Sequence, residues 1–352
     1  MTVLVTGAAG FIGSHTAARL LSRGEEVIGL DNLNSFYSPA RKRQNLAEVA
    51  RQQTRSGQFQ FVEGDVRDRA LLGQLFEKHA FRTVIHLAAM VGVRDSIENP
   101  REYYDVNVNG TLNLLEAVRA QSPLQSTLSS TVPASQRANF VFASTSLVYG
   151  RTELIPFVET DPADHPLSPY AASKRAAEML GFTYHHLHGI DFSAVRFFSV
   201  YGPRGRPEML AHKWLDSAFG GAALPYPNSG QMHHDWTFID DIVSGIVAAS
   251  ERRLGYQLIN LGRGEPVLLA DFVETLEFVA GRKAQLEPVP MPESDVRYTY
   301  AGIGKAQQLL NYHPRISFEE GIQRFYSWYA EHVGAQDRAA NSGSGAGSAG
   351  DG

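Results

Sequence analysis

Short apolar runs alternate with amphipathic segments through the first 200 residues of the chain. The amphipathic segments have the spacing of helices, and the apolar runs predict buried strands, with their exit loops, at 2–5, 26–30, 59–66, 83–89, 139–143 and 192–198. An alternation of strands and helices is typical of a doubly wound parallel sheet with helices on both faces. We therefore predict an α/β fold.

A glycine-rich turn joins the first predicted strand to the first predicted helix. Gly7, Gly10 and Gly13 allow a tight bend, a close approach of the backbone to a pyrophosphate, and close contact between helix and strand. Phe11 and Ile12 lie at the start of the helix, whose N-terminal amides would face the phosphates. Because the turn lies between a strand and a helix, it predicts a Rossmann-type dinucleotide site.

Acidic residues follow the second and third strands, where such a fold contacts the adenosine half of a dinucleotide. Asp31 lies 18 residues after Gly13, which suits an acceptor for a ribose 2′-hydroxyl. Its charge would repel a 2′-phosphate and therefore favours NAD over NADP. Asp65 and Val66 are placed to reach an adenine edge. The basic run 41–43 is interpreted as the solvated start of a helix.

Two further segments are expected near the cofactor. The fourth strand ends in Leu87, Ala88 and Ala89, and small residues there let the cofactor lie close. Asn107 lies inside a long amphipathic helix at about 101–121. A cofactor contact and a buried hydrogen-bond network are equally consistent with that position.

A Tyr-x-x-x-Lys motif carries the strongest candidate chemistry. Ser168 and Pro169 suit the N-cap and first position of a helix, which places Tyr170 and Lys174 on one helix face. An ammonium beside a phenol lowers the phenol's pKa from about 10, so Tyr170 is predicted to act as a general base. Thr145 follows the fifth strand, and the carboxyl end of a parallel strand lies in the ligand crevice.

The composition argues against several function classes. The formal net charge of −5 disfavours broad binding to nucleic acid or to an anionic membrane, and no apolar stretch approaches the ~20 residues that span a bilayer. The absence of cysteine excludes disulfides and thiolate catalysis. His185, His186 and His188 lie together without an accompanying carboxylate, so no metal site is predicted. No signal peptide is visible, and a cytoplasmic location is expected.

The length of 352 residues predicts two lobes. Residues 1–200 are assigned to the dinucleotide-binding domain. Residues 201–333 are assigned mainly to a smaller C-terminal substrate-binding lobe, because the alternation of strands and helices loosens there. The polar segment 122–138 is expected to be a mobile insertion, and the Gly/Ser/Ala-rich tail 334–352 is expected to be disordered.

Several of these motifs occur in the order of a known superfamily. The glycine-rich turn, Thr145, the Tyr170–Lys174 pair and a Tyr-Gly-Pro loop at 201–203 resemble the extended short-chain dehydrogenases/reductases over about residues 2–330. Within that superfamily, the segments that most resemble the UDP-glucuronate 4-epimerases are 31–34, 92–94, 196–203, 205–209 and 235–241.

The resemblance implies a bound NAD and a reaction at C4 of a nucleotide-linked hexuronate. Tyr170 would take the proton from the sugar 4-hydroxyl, Lys174 would hold the nicotinamide ribose, and Thr145 would hydrogen-bond the same sugar oxygen. A hydride would leave C4 and return to the opposite face of a 4-keto intermediate, which converts UDP-glucuronate to UDP-galacturonate without net oxidation. Asn32 and Asn34, in the first matching segment, are expected to contact the cofactor.

The residue before Val-Tyr-Gly distinguishes reactions within the superfamily. Related decarboxylases and 4,6-dehydratases carry Glu there, whereas this chain has Leu147. Leucine neither donates nor accepts a proton, so an acid–base step at C5 or C6 lacks its residue. A 4-epimerase must instead hold the carboxylate of its β-keto acid intermediate against loss of CO₂. Thr145, Ser146 and Arg206 are the candidates for holding it, and arginine suits bidentate carboxylate recognition.

Further substrate contacts rest on the same resemblance. The other residues expected to contact the nucleotide sugar are Arg94, Ser199, Lys213, Asp295 and Arg297. Pairing with Asp95 is the alternative role for Arg94, and a solvated helix face is the alternative for Lys213. Family members usually carry Arg immediately before Asp235, whereas this chain has His234, which alters the expected contact to the nucleotide.

The resemblance also implies a homodimer, formed by the helix at about 101–121 and the Tyr170 helix. Leu180, Tyr184 and Leu187 lie at helical spacing and would suit either this interface or an internal core. Three other functions remain open: 4-epimerisation of a neutral UDP- or dTDP-hexose, decarboxylation of a nucleotide sugar, and a non-enzymatic NAD-binding scaffold.

Overall fold

The computed structural model describes residues 2–121, 138–292 and 295–332. Except for Ala138, the predicted insertion 122–138 lies outside the described residues, and so does the predicted tail 334–352. In the described part of the chain, no helix is long and apolar enough to cross a membrane.

Strands and helices alternate along the chain as the pattern predicts. The strands are β1 (Thr2–Thr6), β2 (Glu26–Asp31), β3 (Phe59–Glu63), β4 (Thr83–His86), β5 (Asn139–Thr145), β6 (Asp191–Phe197), β7 (Ser199–Tyr201), β8 (Leu224–Pro227), β9 (His233–His234), β10 (Trp236–Phe238), β11 (Tyr256–Leu261), β12 (Val267–Leu268) and β13 (Leu286–Val289). The α-helices are α1 (Phe11–Ser22), α2 (Pro39–Arg51), α3 (Arg69–Lys78), α4 (Val93–Glu98), α5 (Pro100–Tyr104), α6 (Gly110–Gln121), α7 (Pro169–His188), α8 (Leu210–Ala218), α9 (Ile239–Ser250), α10 (Leu269–Ala280), α11 (Gly304–Leu310) and α12 (Phe318–His332).

Seven strands form one parallel sheet in the order β11-β6-β5-β4-β1-β2-β3. The order reverses between β1 and β4, and a reversal of this kind is where doubly wound sheets bind ligands at the carboxyl ends of their strands. The predicted α/β fold with a Rossmann-type sheet is therefore confirmed.

The central strands are buried on both faces, which explains their uninterrupted apolar sequences. In β1, Val3 and Val5 contribute to one hydrophobic core, while Leu4, which points to the opposite face, contributes to a second core. The first core includes α1 and α9, and the second includes α3, α6 and α7. Helices therefore cover both faces of the sheet.

The C-terminal part of the chain builds a smaller lobe but also returns to the sheet. Three short strand pairs, β7 with β10, β8 with β13 and β9 with β12, lie outside the central sheet. In contrast, α9 packs against α1, and β11 extends the sheet beside β6, although both lie in the range assigned mainly to the lobe. Buried Asp235 accepts hydrogen bonds from the backbone N–H groups of Arg263, Gly264 and Ala301 at 2.7, 2.9 and 3.0 Å. This carboxylate therefore ties three loops together.

Candidate active site

A cavity of about 510 Å³ opens where the strand order reverses. The residues that follow β1, β2 and β4, and the last residues of β5, contribute to its wall. Its position is the one at which the topology of the sheet predicts a ligand.

Most of the predicted site residues meet in this cavity. Those that line it are Gly7, Gly10, Phe11, Ile12, Gly13, Asp31, Asn32, Asn34, Asp65, Val66, Leu87, Ala88, Ala89, Thr145, Tyr170, Lys174, Ser199 and Arg206. The predicted residues that do not line it are Arg94, Asn107, Ser146, Lys213, Asp295 and Arg297. The roles assigned to the second group in binding stay predictions.

The glycine-rich turn leaves room for a pyrophosphate. Gly7 adopts a positive φ of +70°, and a Cβ on it would lie 2.7 Å from the backbone nitrogen of Ala88. A Cβ on Gly13 would lie 1.9 Å from the carbonyl oxygen of Gly7. No side chain caps the N-terminus of α1, so its first amides are free to bind an anion. These features fit the pyrophosphate of a dinucleotide.

A buried lysine lies beside the predicted ribose acceptor. Asp31 accepts hydrogen bonds from the backbone N–H groups of Ala9 (3.1 Å) and Leu33 (2.9 Å). Lys42 lines the same cavity, is 5% exposed, and donates to the backbone oxygen and Oδ1 of Asn34 at 2.9 and 2.6 Å. The interpretation of Lys42 as a solvated residue was wrong, because the first turn of α2 packs over the loop after β2. A contact between a loop and a helix leaves no periodic pattern in the sequence, so the burial of Lys42 could not be predicted from it.

An arginine orients the carboxylate at the predicted adenine position. Arg67 donates from Nε and Nη2 to the two carboxylate oxygens of Asp65 at 2.9 and 2.8 Å, and Asn32 adds a third bond at 2.8 Å. The hydrogen bonds from Arg67 lower the pKa of Asp65 to about 2. Arg67 also lines the cavity, and the sequence reasoning missed it.

The Tyr-x-x-x-Lys motif begins α7 as predicted. Ser168 accepts a hydrogen bond from the backbone N–H of Ala171 at 3.2 Å, so it caps the helix, and Pro169 occupies the first position. Tyr170 is 9% exposed, and the Thr145 hydroxyl lies close enough to favour its phenolate form. Lys174 is buried, with Nζ 4.6 Å from the centroid of the Phe142 ring. The helix therefore brings the predicted base and its hydroxyl neighbour together.

The electrostatics of this group differ from the sequence-based expectation. Burial raises the pKa of Tyr170 above its ordinary value of 10, while the charge of Arg206 and the Thr145 hydroxyl act in the opposite direction. Burial also lowers the pKa of Lys174 to about 7, although the carboxylate of Glu178 opposes this change. The expectation of a lowered pKa at Tyr170 was therefore wrong, because burial outweighs the charge of Arg206, and Lys174 is not among the groups that shift this pKa.

Behind the motif, a buried carboxylate connects α7 to two strands. Glu178 lies one turn after Lys174 and accepts hydrogen bonds from Ser144 Oγ (2.6 Å), from Arg196 Nε and Nη2 (2.9 and 2.8 Å) and from Arg175 Nη1 (3.1 Å). Ser144 lines the cavity, so this network fixes the cavity end of β5 against α7. The sequence reasoning missed the network. The one sequence feature that could have indicated it is Arg196, a charged residue within a mostly apolar strand.

Asn107 acts within a hydrogen-bond network. The helix predicted at 101–121 contains a π-helical turn, Asp105–Asn109, between α5 and α6. Asn107 Oδ1 accepts from the backbone nitrogen of Met90 at 2.9 Å, and Nδ2 donates to the Met90 carbonyl and to Ser173 Oγ at 3.0 Å each. Of the two predicted roles, these contacts favour the network, which positions the cavity loop that includes Met90. Such turns occur often at functional sites.

Two further residues of the cavity lining, Arg206 and Leu147, bear on which ligand the cavity suits, and Glu102 lines the cavity as well. Arg206 lines the cavity and makes no ion pair with any residue that the structure describes. Leu147 also lines the cavity, at the position where related decarboxylases and dehydratases carry Glu. Arg206 therefore supplies an unpaired cation, while Leu147 supplies only apolar surface.

The remaining predicted substrate residues lie outside the cavity lining. The charge of Arg94 acts on Asp295, so these two residues lie near each other. Arg297 and Lys213 are exposed. His234, which replaces the family's usual Arg, packs against Trp236, and burial lowers the pKa of His234 to about 4. His234 is therefore neutral at physiological pH and does not supply the positive charge of that arginine.

The sheet and the Thr145–Tyr170–Lys174 group define the class of the protein as an extended short-chain dehydrogenase/reductase. The family model described as GDP-mannose 4,6 dehydratase matches residues 4–325. The chain belongs to this family.

Relatives within the family catalyse more than one reaction. A UDP-glucuronate 4-epimerase of Thermodesulfobacterium geofontis (strain OPF15) is 41% identical over 331 residues, which cover 94% of this chain and 96% of that protein. The structure of UDP-glucuronic acid 4-epimerase from Bacillus cereus in complex with UDP-glucuronic acid and NAD has a TM-score of 0.82 at 32% identity, over 94% of this chain and 99% of that one. A dTDP-glucose 4,6-dehydratase from Streptomyces venezuelae has a TM-score of 0.83 at 29% identity, over 95% and 98%. Because the fold is common to epimerases and dehydratases, the cavity residues have to distinguish the reactions.

Proposed function

We propose that this protein is an NAD-dependent 4-epimerase that interconverts UDP-glucuronate and UDP-galacturonate. The observation that carries the proposal is the composition of one cavity, in which Thr145 and Tyr170 meet an unpaired Arg206 and an apolar Leu147. The relatives named UDP-glucuronate 4-epimerase support the same assignment. Residues 1–200 are proposed as the main cofactor-binding part and residues 201–333, apart from α9 and β11, as the substrate-binding lobe.

The residues of the first cavity fit NAD. Gly7, Gly10 and Gly13, with the free amides at the start of α1, would hold the pyrophosphate. Asp31 would accept from the adenosine ribose, and Asp65 would lie at the adenine edge. When bound, NAD⁺ would supply reversible oxidation at C4 and a positive charge that favours the phenolate.

The proton at the sugar 4-hydroxyl is handled by the chain's own groups. Tyr170 accepts this proton during oxidation and returns it during reduction. Thr145, whose hydroxyl favours the phenolate of Tyr170, hydrogen-bonds the sugar oxygen. Because the pKa of Tyr170 is raised, its phenolate, once formed, accepts the proton of the 4-hydroxyl readily. Thr145 and Arg206 are the two groups around Tyr170 that stabilise its anion.

The carboxylate is held while the C4 carbonyl exists. A 4-keto hexuronate is a β-keto acid and loses CO₂ when its C–C bond aligns with the carbonyl π system. Arg206 can bind both carboxylate oxygens and hold this bond out of alignment. Leu147 offers no acid or base at C5, so the intermediate is not diverted into elimination.

We also propose that two copies of the chain associate through α7 and the helices beside it. Met179, Phe182 and Leu187 on α7 are 60%, 53% and 49% exposed, and Ile97 and Tyr104 on α4 and α5 are 56% and 44% exposed. Helices α4 and α5 pack beside α7, so these side chains belong to neighbouring surfaces. An exposed apolar face of this kind is typical of an interface.

Of the three residues considered for the interface, only Leu187 is exposed. Leu180 packs on the second core, and the Tyr184 hydroxyl donates to Glu116. The proposed surface therefore lies around the axis of α7 from the predicted residues Leu180 and Tyr184, on the side that carries Met179 and Phe182. The expected cytoplasmic location stays a prediction.

Arg206→Ala tests the assignment of the substrate. The variant removes the charge near Tyr170 for every substrate, but only UDP-glucuronate also loses the partner of its carboxylate. Its kcat/KM should therefore fall about 100-fold further than that for UDP-glucose, because a charged hydrogen-bond pair contributes about 3 kcal/mol. Arg43→Ala, an exposed arginine outside the cavity, is the matched control and should change neither. Equal losses for both sugars would contradict the carboxylate role and favour a neutral hexose. Release of CO₂ with a UDP-pentose would identify a decarboxylase.

A further inference from the structure

A second cavity, of about 250 Å³, shares one wall with the active-site cavity. Tyr37 lines both. The second cavity lies between α2, the loop after β7 and the end of α12, and we call it the basic cavity. The residues of the basic cavity used below are Arg41, Glu48, Arg51, Arg204, Trp328 and His332. Of these, only Arg41 was considered from the sequence, as part of the basic run 41–43.

Arg204 is a buried cation whose hydrogen-bonding capacity is largely unused. Its side chain is 10% exposed, and its contact with Glu48, at 3.7 Å, is longer than a hydrogen bond. Within the described residues its guanidinium makes one hydrogen bond, from Nε to His15 Nε2 at 3.1 Å. A guanidinium carries five N–H donors, and buried donors are normally satisfied. Burial also lowers the pKa of Arg204, because the opposing effects of the Glu48 and Asp240 carboxylates are smaller than the effect of burial.

The backbone at Arg204 is strained in the same place. Its φ of +62° lies in the left-handed region, which costs a residue other than glycine about 1 kcal/mol or more. The neighbouring glycines, Gly202 and Gly205, would tolerate this conformation more easily. An arginine held here at such a cost, with unused donors, is typical of a ligand site rather than of a residue that only stabilises the fold.

Other groups around the basic cavity add donors but few acceptors. Arg41 and Arg51 also line it, and Glu48 is the one carboxylate among the lining residues that the structure describes. Arg41 Nη1, Tyr37 Oη and Trp328 Nε1 are buried without a hydrogen-bond partner in the described part of the chain. Three guanidinium groups and one carboxylate line the cavity, and Asp240, outside the lining, also acts on Arg204. The balance of these groups is positive, which favours an anionic ligand with several acceptor oxygens.

We propose that the basic cavity binds a phosphate-bearing small metabolite. Arg204, Arg51 and Arg41 would bind the phosphate oxygens, and the ring of Trp328 would contact the organic part of the ligand. The volume of the basic cavity suits a molecule of the size of a sugar phosphate. The site is separate from the one assigned to the reaction, so the proposal does not depend on the proposed function.

Calorimetric titration of the full-length, NAD-loaded protein tests the proposal. The probes are glucose 1-phosphate and inorganic phosphate, which separate an organic ligand from the free ion. Glucose 1-phosphate should bind with the higher affinity. Arg51→Ala should weaken its binding by about tenfold or more, because it removes a charged hydrogen bond. Glu48→Gln should strengthen binding about threefold, because it removes the one competing carboxylate.

Two controls separate this site from the active site and from general charge effects. Arg43→Ala, on the same helix but outside the cavity, should change the affinity by less than about twofold. Arg206→Ala should leave this binding event unchanged as well. Arg51 is exposed and Glu48 is partly exposed, so their variants are expected to fold, and thermal unfolding checks this. Equal affinities for Arg51→Ala and Arg43→Ala, or no saturable binding below about 10 mM, would overturn the proposal.

Discussion

At Tyr170, burial and charge act in opposite directions on one phenol. Burial favours the protonated form, whereas Arg206 and the Thr145 hydroxyl favour the phenolate. The net effect raises the pKa, so the protonated phenol is the favoured form. Its role as a proton acceptor therefore depends on the groups that favour the phenolate, Arg206 and the Thr145 hydroxyl.

Tyr170→Phe should lower kcat by about 10²- to 10⁴-fold, because only the proton-transferring oxygen is removed. Tyr103→Phe is the matched control. The Tyr103 ring lies 6.2 Å from that of Tyr170, but its hydroxyl donates to the Val91 carbonyl at 2.7 Å and does not line the cavity. Steady-state kinetics should show near-normal kcat for the control. Similar losses in both variants would mean that packing around the ring, rather than the Tyr170 oxygen, supports turnover.

Single residues were predictable where a local motif constrains them. The glycines of the turn, Asp31 and Tyr170 each belong to a short motif whose geometry follows from the elements beside it. Lys42 and Glu178 do not, because their environments depend on how α2 and α7 pack against residues distant in sequence. Burial of a charge is a property of tertiary structure, and for this reason the sign of the pKa shift at Tyr170 was also mispredicted.

At the scale of elements, the start of α7 determines where Tyr170 lies. Ser168→Ala should lower the free energy of unfolding by about 1 kcal/mol, because the hydroxyl caps the Ala171 amide. Ser38 precedes α2 in the same position, also before a proline, but makes no capping hydrogen bond. Ser38→Ala should therefore change the stability by a few tenths of a kcal/mol at most. Urea unfolding of both variants measures the difference, and equal effects would contradict the capping role of Ser168.

Elements were predictable where their own sequence carries a clear pattern. The strands β1, β2, β4, β5 and β6 were found because central parallel strands are continuously apolar, and the edge strand β3 was found from its apolar residues Phe59, Phe61 and Val62. In contrast, β11 lies at the edge of the sheet, and its sequence Tyr-Gln-Leu-Ile-Asn-Leu is only partly buried, so its pattern is weak. The π-helical turn in the helix at 101–121 could not be predicted either, because one extra residue in a single helical turn does not visibly change the amphipathic pattern.

At the scale of the whole molecule, the exposed face on α7 should form a dimer. Phe182→Glu places a charge in this face and should convert the protein to a monomer in light-scattering chromatography. Phe278→Glu is the control, because Phe278 is 86% exposed on α10, outside the proposed interface. A dimer that survives Phe182→Glu would contradict the proposed interface.

Several buried histidines should make the molecule sensitive to acid. Burial lowers the pKa of His15 and of His212 from 6.5 to about 3, and that of His234 to about 4. The unfolded chain therefore binds more protons below pH 6.5 than the folded one. The stability is present above pH 6.5 and is lost as the pH falls toward 4, by about 1.4 kcal/mol per pH unit for each histidine.

His212→Phe should make the loss of unfolding free energy between pH 6 and 4 less steep by about 1.4 kcal/mol per pH unit, which is the contribution of one proton. His212 contacts the ring of Phe325, and its two ring nitrogens have no partner in the described residues, so phenylalanine should pack in its place. Urea unfolding at a series of pH values measures the slope. The exposed His313→Phe is the control and should leave it unchanged. An unaltered slope in His212→Phe would show that this residue titrates normally.

The most direct test of the central claim is proton NMR of UDP-glucuronate incubated with the purified protein in D₂O. If the residues act as proposed, UDP-galacturonate forms and keeps the original proton at C4, because hydride is removed and returned within one cavity while only the hydroxyl proton exchanges. The single H5 signal of a hexuronate persists, and the paired H5 protons of a UDP-pentose do not appear. Deuterium at C4 of the product, loss of CO₂, or an unchanged substrate would contradict 4-epimerisation of a hexuronate by this site.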